Sequence, residues 1–435
     1  MSLCRGLTGR TPPPRSTLHP RSTKRTGQRM PALIGPAMLV AVGYMDPGNW
    51  ATDIAAGARY GFGLLYVVIA AGLAAILLQS LALRLGMASG LDLARACRQR
   101  YGLRTSFTLW LLAETAILAT DVAEMLGGAL AIKLMLGLPL WTGVLLTSAA
   151  TLSVVGLMGS GAGRIEAIVG ALVATITLCF LAELVISPPD PRAMIAGMVP
   201  DPSRLTRPGA LALAMGIVGA TVMPHNLYLH SGVARVQDGA RDAAGIERSI
   251  RLATIGTALS LTLAMLVNGA ILALAATSFH ATSHTQVTSI DDAYRLLEPI
   301  TGLKTAALLF GIALLASGQS STITGTIAGQ IVLEGFLDLK ISPWKRRLIG
   351  RAIAVVPALA GVMLLGDGGV GAMLIVSQIV LSLQLPFAVW PLIASVSDET
   401  LMNGHQPGRG LIIAAVTIFV IVSGANLWML VSLRT

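Results

Sequence analysis

Two stretches decide the fold: GPAMLVAVGYMDPGNWATDIAAGARYGF at 35–62 and LALAMGIVGATVMPHNLYLHSG at 211–232. Each is apolar and as long as a membrane crossing, which needs about 20 residues. Each is also broken in its middle. The first carries Gly43, then Met45-Asp46-Pro47-Gly48-Asn49; the second carries Gly219, then Met223-Pro224-His225-Asn226. Proline there removes a backbone donor and clashes with the preceding turn. Unwound backbone at membrane depth is tolerated only where protein packs on it or it lines a cavity.

The rest of the chain fits that reading. It has 435 residues, 54% hydrophobic and only 12% charged, against roughly 25% charged in a soluble domain. Mean hydropathy is +0.74. A soluble globular protein and a disordered chain are both excluded. The net charge of +10 would suggest nucleic acid in a soluble protein. Here the basic residues fall in short gaps between apolar runs, so the charge reads as membrane orientation. The cysteines (Cys4, Cys97, Cys179) are widely spaced with no CxxC, which suggests neither a disulfide framework nor a thiolate metal site. No Gly-Lys dipeptide occurs, so no P-loop drives a pump.

Apolar stretches at 31–60, 62–85, 106–134, 138–160, 164–187, 208–231, 250–278, 303–325, 348–366, 370–396 and 410–431 predict eleven transmembrane helices and no sheet. Residues 1–30 hold Arg and Lys but no acid and no apolar run; they read as a disordered cytoplasmic tail, unless translation begins at Met30. With the N-terminus inside, 23 of the 31 Lys and Arg fall on the cytoplasmic side, including the group from Lys340 to Arg351. The expected placement is a cytoplasmic N-terminus and an external C-terminus in the cell (inner) membrane.

The broken spans are the first and the sixth. Five is odd, so a second set of five helices enters the membrane reversed, the signature of an inverted repeat with its site between the broken helices. The expected organisation is a first five-helix repeat at 31–187, an inverted second repeat at 208–396 and an eleventh helix at 410–431.

Asp46 and Asn49 flank Pro47-Gly48. An Asp-Pro-Gly-Asn string is a common turn in water-exposed loops. Inside an apolar span, its carboxylate costs about 2.5–3.5 kcal/mol and marks function. Unwinding frees carbonyls such as those of Gly43 and Ala220 to coordinate a cation. A lone methionine usually packs a core, but Met223 stands beside the second break. Oxygen ligands alone suit magnesium or calcium; a thioether favours softer transition metals. The expected cargo is a divalent transition metal, manganese or ferrous iron first.

The strings DPGN and GATVMPHNLYLHS resemble the two signature motifs of the natural-resistance-associated macrophage protein (NRAMP) family of metal-ion transporters. SGQSSTITGTIAGQIVLEGF at 317–336 is similar to the family's segment between spans eight and nine. The resemblance runs from Met30 to the C-terminus and lies nearest the family's bacterial manganese branch. It implies a leucine-transporter-type fold and proton-coupled import of Mn2+ and Fe2+. It implies metal ligands at Asp46, Asn49, Ala220 (carbonyl) and Met223, with Gly43 (carbonyl) and Gln378 as further ligands. A magnesium-selective branch departs at the methionine, which this chain keeps. No cofactor is implied beyond the transported ions.

In span three, Glu114, Asp121 and Glu124 share one helical face. Left in lipid they would cost roughly 8–10 kcal/mol together, so they are expected to line a polar path. In similar transporters this face is the proton route, fed from Asp46, because a carboxylate that binds metal must be ionised. Arg351 is a candidate partner charge. His225 is a candidate for proton exchange or for shaping the unwound turn. His225 and His230 lie about 140° apart on a helix, so they form no two-histidine metal face. His280 and His284 read as a surface pair without HExxH. Asp53 and Glu183 read as interfacial, and Gly127-Gly128 as permitting close helix packing.

The expected partners are the metal, protons and the bilayer, with no nucleic acid and a monomeric chain. An organic symporter on the same scaffold would leave Met223 beside Asp46 unexplained. A membrane metalloprotease would need HExxH. A channel would not need matched broken helices.

Overall fold

The computed structural model describes residues 43–158, 162–234, 243–281, 290–293 and 304–432. The basic tail, the start at Met30, residues 31–42 of the first span and His284 lie outside them. The described residues form helices and no strand. They are α1 (Pro47–Tyr60), α2 (Leu65–Ser89), α3 (Leu93–Arg100), α4 (Leu103–Leu136), α5 (Leu140–Met158), α6 (Ala162–Ile186), α7 (Pro191–Met198) and α8 (Ala210–Val222). There follow α9 (Pro224–Val233), α10 (Ala243–Ala275), α11 (Lys304–Leu337), α12 (Pro343–Leu365), α13 (Val370–Val396), α14 (Glu399–Met402) and α15 (Arg409–Ser432). Among the described residues, 8 stretches are long and apolar enough to cross a membrane, and one of them, Pro47–Ser89, holds both α1 and α2.

Both expected breaks are present. Asp46 is extended (φ −72°, ψ 163°) and caps α1, whose first residue is Pro47. Met223 (φ 41°, ψ 97°) separates α8 from α9, which starts at Pro224. A positive φ on a residue with a β-carbon costs on the order of 1–3 kcal/mol and persists only where packing enforces it. Met223 is packed against Ala116 and Leu381.

Helices five spans apart pack on one another: α1 on α8, α2 on α10, α4 on α11 and α5 on α12. An inverted repeat wound about an in-plane axis places each helix beside its counterpart in this way. Close approach is steric where glycine allows it. A β-carbon on Gly127 would stand 2.2 Å from Pro47, and one on Gly128 2.5 Å from Thr147, which bears out the packing role read for that pair.

One face of the bundle gathers Arg84 with Glu247, Arg98 with Asp338 and Arg100 with Asp398. The three arginines are among the residues that the charge count places on the cytoplasmic side. At the opposite end Lys133 joins Asp367 at 2.9 Å and Asp291 at 3.5 Å.

Three expectations are corrected. The 317–336 string is no connector between spans: α11 runs unbroken to Leu337, so these residues are helical and mostly buried. Arg346 and Arg347 are not loop charges, because α12 begins at Pro343 and buries both, beside Arg351 of the expected ninth span. Asp53 and Glu183 are not interfacial; their relative exposures are 1% and 0%, since both face the bundle interior.

Candidate metal site

A helix's carbonyl at position i accepts from the N–H at i+4. For Gly43 and Ala220 that position is Pro47 and Pro224, neither of which has an N–H. The same sequence device therefore strips a carbonyl of its helical partner at both breaks. The Ala220 oxygen is met instead by the side chain of Asn49, whose Nδ2 donates to it at 3.0 Å. That Nδ2 also donates to Asp46 Oδ1 at 2.8 Å, and the Asn49 backbone N–H donates to the same oxygen at 3.0 Å. Nearby, the Tyr44 hydroxyl donates to the Val222 carbonyl at 3.4 Å. The two breaks thus face each other directly.

Glycines permit this approach. A β-carbon on Gly43 would lie 2.6 Å from Asn226 Nδ2, and one on Gly48 only 1.8 Å from Gln378 Nε2 and 2.9 Å from Asp46 Oδ2. A β-carbon on Gly219 would lie 2.1 Å from the Gln378 carbonyl oxygen. Gln378, on α13, is therefore held against both breaks. The Met223 sulfur accepts from Asn226 Nδ2 at 3.3 Å.

Several buried atoms here have no hydrogen-bond partner among the described residues: Asp46 Oδ2, Gln378 Oε1, Thr221 Oγ1, Asn226 Oδ1, Asn268 Oδ1 and His225 Nδ1. Buried polar atoms are ordinarily paired. Five of these six are oxygens, and the carboxylate and amide oxygens of Asp46, Gln378, Asn226 and Asn268 are acceptors that a cation can satisfy. Among the described residues no three His, Cys, Asp or Glu converge as a conventional metal cluster. The donor set is instead mixed: one carboxylate, amide and backbone oxygens, and one thioether.

The sequence reading missed Asn268. Its Nδ2 donates to the Tyr44 carbonyl at 3.1 Å and to Asn49 Oδ1 at 3.2 Å, so α10 braces the first break. A lone amide in the apolar run LVNGAI was the available signal. Also missed was a buried chain in which Gln79 Nε2 donates to the Tyr44 hydroxyl at 2.6 Å and Gln79 Oε1 meets His230 Nδ1 at 3.0 Å.

The acidic stripe of α4 is met by three arginines of α12. Glu114 takes Arg346 at 2.9 Å, and Asp121 takes Arg347 at 2.7 Å. Glu124 takes Arg347 at 3.2 Å and Arg351 more closely. Ser321 and Thr322 of α11 each donate to Glu124 at 2.9 Å. Only Arg351 was anticipated; Arg346 and Arg347 had been counted with the loop charges. The ladder touches the first break through α11, because the Ser317 hydroxyl donates to the Met45 carbonyl. His280 is tied to the bundle through Nδ1 and the Ala58 carbonyl at 3.0 Å.

The sequence matches the family described as natural resistance-associated macrophage protein-like (Nramp) over residues 37–432. The chain belongs to the Nramp family. A curated Nramp relative from Pseudomonas aeruginosa, named divalent metal cation transporter MntH 1, is 53% identical over 403 residues, covering 93% of this chain and 92% of its own. The crystal structure of an Eremococcus coleocola manganese transporter mutant superposes with a TM-score of 0.85 at 33% identity, covering 95% of this chain and 90% of that one. A nucleobase-cation-symport-1 family transporter superposes with a TM-score of 0.60 at 17% identity, covering 87% of this chain and 80% of its own. At that distance the likeness is one of fold, and it bears out the expected leucine-transporter-type architecture.

Proposed function

We propose that this Nramp chain carries divalent transition-metal cations, Mn2+ and Fe2+ foremost, into the cytoplasm by alternating access, in symport with protons. The observation that carries the reading is the convergence of two proline-broken helices on one group of buried, unpartnered oxygens beside a thioether. Asp46, Asn49, Met223 and the Ala220 carbonyl hold the ion, joined by Gln378 and the Gly43 carbonyl as the helices move. The names of the P. aeruginosa and E. coleocola proteins support the same substrate class and a transporter rather than an enzyme.

Asp46 supplies the only carboxylate at the breaks and must be ionised to bind metal. Its proton passes to the ladder of Glu114, Asp121 and Glu124, which Arg346, Arg347 and Arg351 flank, and His225 beside the second break assists. The repeats are 31–187 and 208–396, followed by 410–431, with the N-terminus cytoplasmic and the protein acting as a monomer in the inner membrane. Metal uptake into liposomes with internal pH recorded tests the whole reading. Manganese entry accompanied by internal acidification, both abolished in Asp46→Asn, is expected. Manganese entry without proton movement would remove the coupling, and uptake by Asp46→Asn at the normal rate would remove the site.

A further inference from the structure

Away from the breaks, a cavity of about 510 Å3 lies between α2, α6 and α10, with Met194 and Met198 of α7 across one side. It sits at the end of the bundle where α2 begins and α6 ends, opposite the face that holds Arg84–Glu247 and Arg100–Asp398. Its size falls in the range of ligand pockets, roughly 300–1,000 Å3. Thr177 is the one lining side chain that carries nitrogen or oxygen. Such a wall offers a polar ligand almost nothing.

Two lining residues, Leu181 and Leu266, are 54% and 62% exposed on the outer surface of the helices. The cavity therefore opens sideways into the hydrocarbon of the bilayer rather than into water. Gly269 makes room for it. A β-carbon there would meet Leu65 at 3.8 Å, an ordinary contact, and no backbone within 4 Å. Glycine inside a helix costs about 1 kcal/mol relative to alanine, and here no close backbone contact calls for it. One rim cation is placed directly: Arg204 reaches the Gly63 carbonyl at 3.4 Å, two residues before Leu65. Asp201 pairs with Arg204 at 3.0 Å and Asp190 caps α7; Arg207 follows three residues after Arg204, the Tyr60 hydroxyl next to Arg59 donates to the Pro208 carbonyl, and Arg59, Arg192 and Arg207 are exposed.

We infer that this cavity is a binding site for one acyl chain of a membrane phospholipid, whose phosphate lies among the rim arginines. The hydrocarbon wall and lateral mouth select the chain, and the basic rim selects the headgroup charge. The site has a consequence for the ion. Gly269 adjoins Asn268 on α10, and Asn268 braces Tyr44 and Asn49. A seated chain therefore steadies the helix that holds the first break in place.

Native mass spectrometry of the full chain, purified and washed through delipidating detergent, tests the inference without metal or transport, so its outcome is separate from that of the metal site. The protein is expected to retain one phospholipid. Gly269→Leu and Met198→Trp, which fill the cavity from two different walls, are expected to lower retention at least tenfold. Leu259→Trp, on the exposed face of the same helix and outside the cavity, is expected to retain it. A photoactivatable phosphatidylglycerol with a mid-chain diazirine is expected to label peptides of α7 and α10. No retained phospholipid in the unsubstituted protein, equal retention in both filled variants, or labelling spread evenly over the lipid face would overturn the inference.

Discussion

The side-chain amide of Asn49 bonds the Ala220 carbonyl at 3.0 Å, joining residues 171 apart in sequence. The same nitrogen holds Asp46 Oδ1 at 2.8 Å. A single N–H donor group thus sits where two acceptors from opposite halves of the chain converge. Two acceptors that converge on a donor also converge on a cation, and turning the amide about its terminal torsion presents Asn49 Oδ1 in place of the nitrogen. The arrangement predicts how the site responds when each contributor is altered.

Met223→Ala removes the thioether at the second break and leaves the oxygens. Hard cations gain relative to soft ones when sulfur is absent. Calcium and magnesium are expected to compete with manganese more strongly in the variant, read as inhibition of manganese uptake into liposomes. Unchanged competition would show that the sulfur packs against Ala116 and Leu381 without selecting the ion.

Gly48→Ala tests the geometry without replacing a ligand. Its β-carbon would fall 1.8 Å from Gln378 Nε2 and 2.9 Å from Asp46 Oδ2, so both side chains must move. Overpacking of this kind costs about 1–3 kcal/mol of stability. Metal affinity is expected to fall more than tenfold, measured by calorimetric titration, while the protein still purifies as a folded species. Affinity within twofold of the parent would mean that Gln378 and Asp46 do not meet the ion together.

Asn268→Ala removes the brace from α10. It deletes two hydrogen bonds, to Tyr44 and to Asn49, each worth about 0.5–1.5 kcal/mol net. A drop in manganese affinity of roughly five- to tenfold is expected, with the preference for manganese over calcium retained. A change of preference with no loss of affinity would make Asn268 a ligand rather than a brace.

How far the sequence foretold this site depends on what each residue had to announce. Both breaks were legible because proline, glycine and asparagine are out of place in an apolar span. The acidic stripe was legible because carboxylates there need partners. Apart from Arg351, their partners were not, since Lys345-Arg346-Arg347 reads as a basic loop until α12 is seen to start at Pro343 and turn Arg346 and Arg347 inward. Asn268 and Gln79 act through contacts with distant segments, and no local spacing encodes that. Asp53 and Glu183 stood near the ends of apolar runs, where depth in the bilayer cannot be separated from burial in the bundle.

Asp121→Asn separates proton movement from metal binding. Arg347 loses a charged partner at 2.7 Å but keeps Glu124 at 3.2 Å. Removing one member of a buried ion pair costs about 3–5 kcal/mol, so the remaining contact should keep the loss near the lower figure. Internal acidification during uptake is expected to fall several-fold more than manganese affinity. Equal losses in both would assign the ladder a structural role only.

The central claim is that one ion is held by oxygens from the first break and sulfur from the second. X-ray absorption at the manganese edge on the loaded, purified protein tests it most directly. The spectrum is expected to contain one sulfur among oxygen neighbours, lost in Met223→Ala, with no bound manganese in Asp46→Asn. An all-oxygen shell in the unsubstituted protein, or a bound ion that survives Asp46→Asn, would contradict the account.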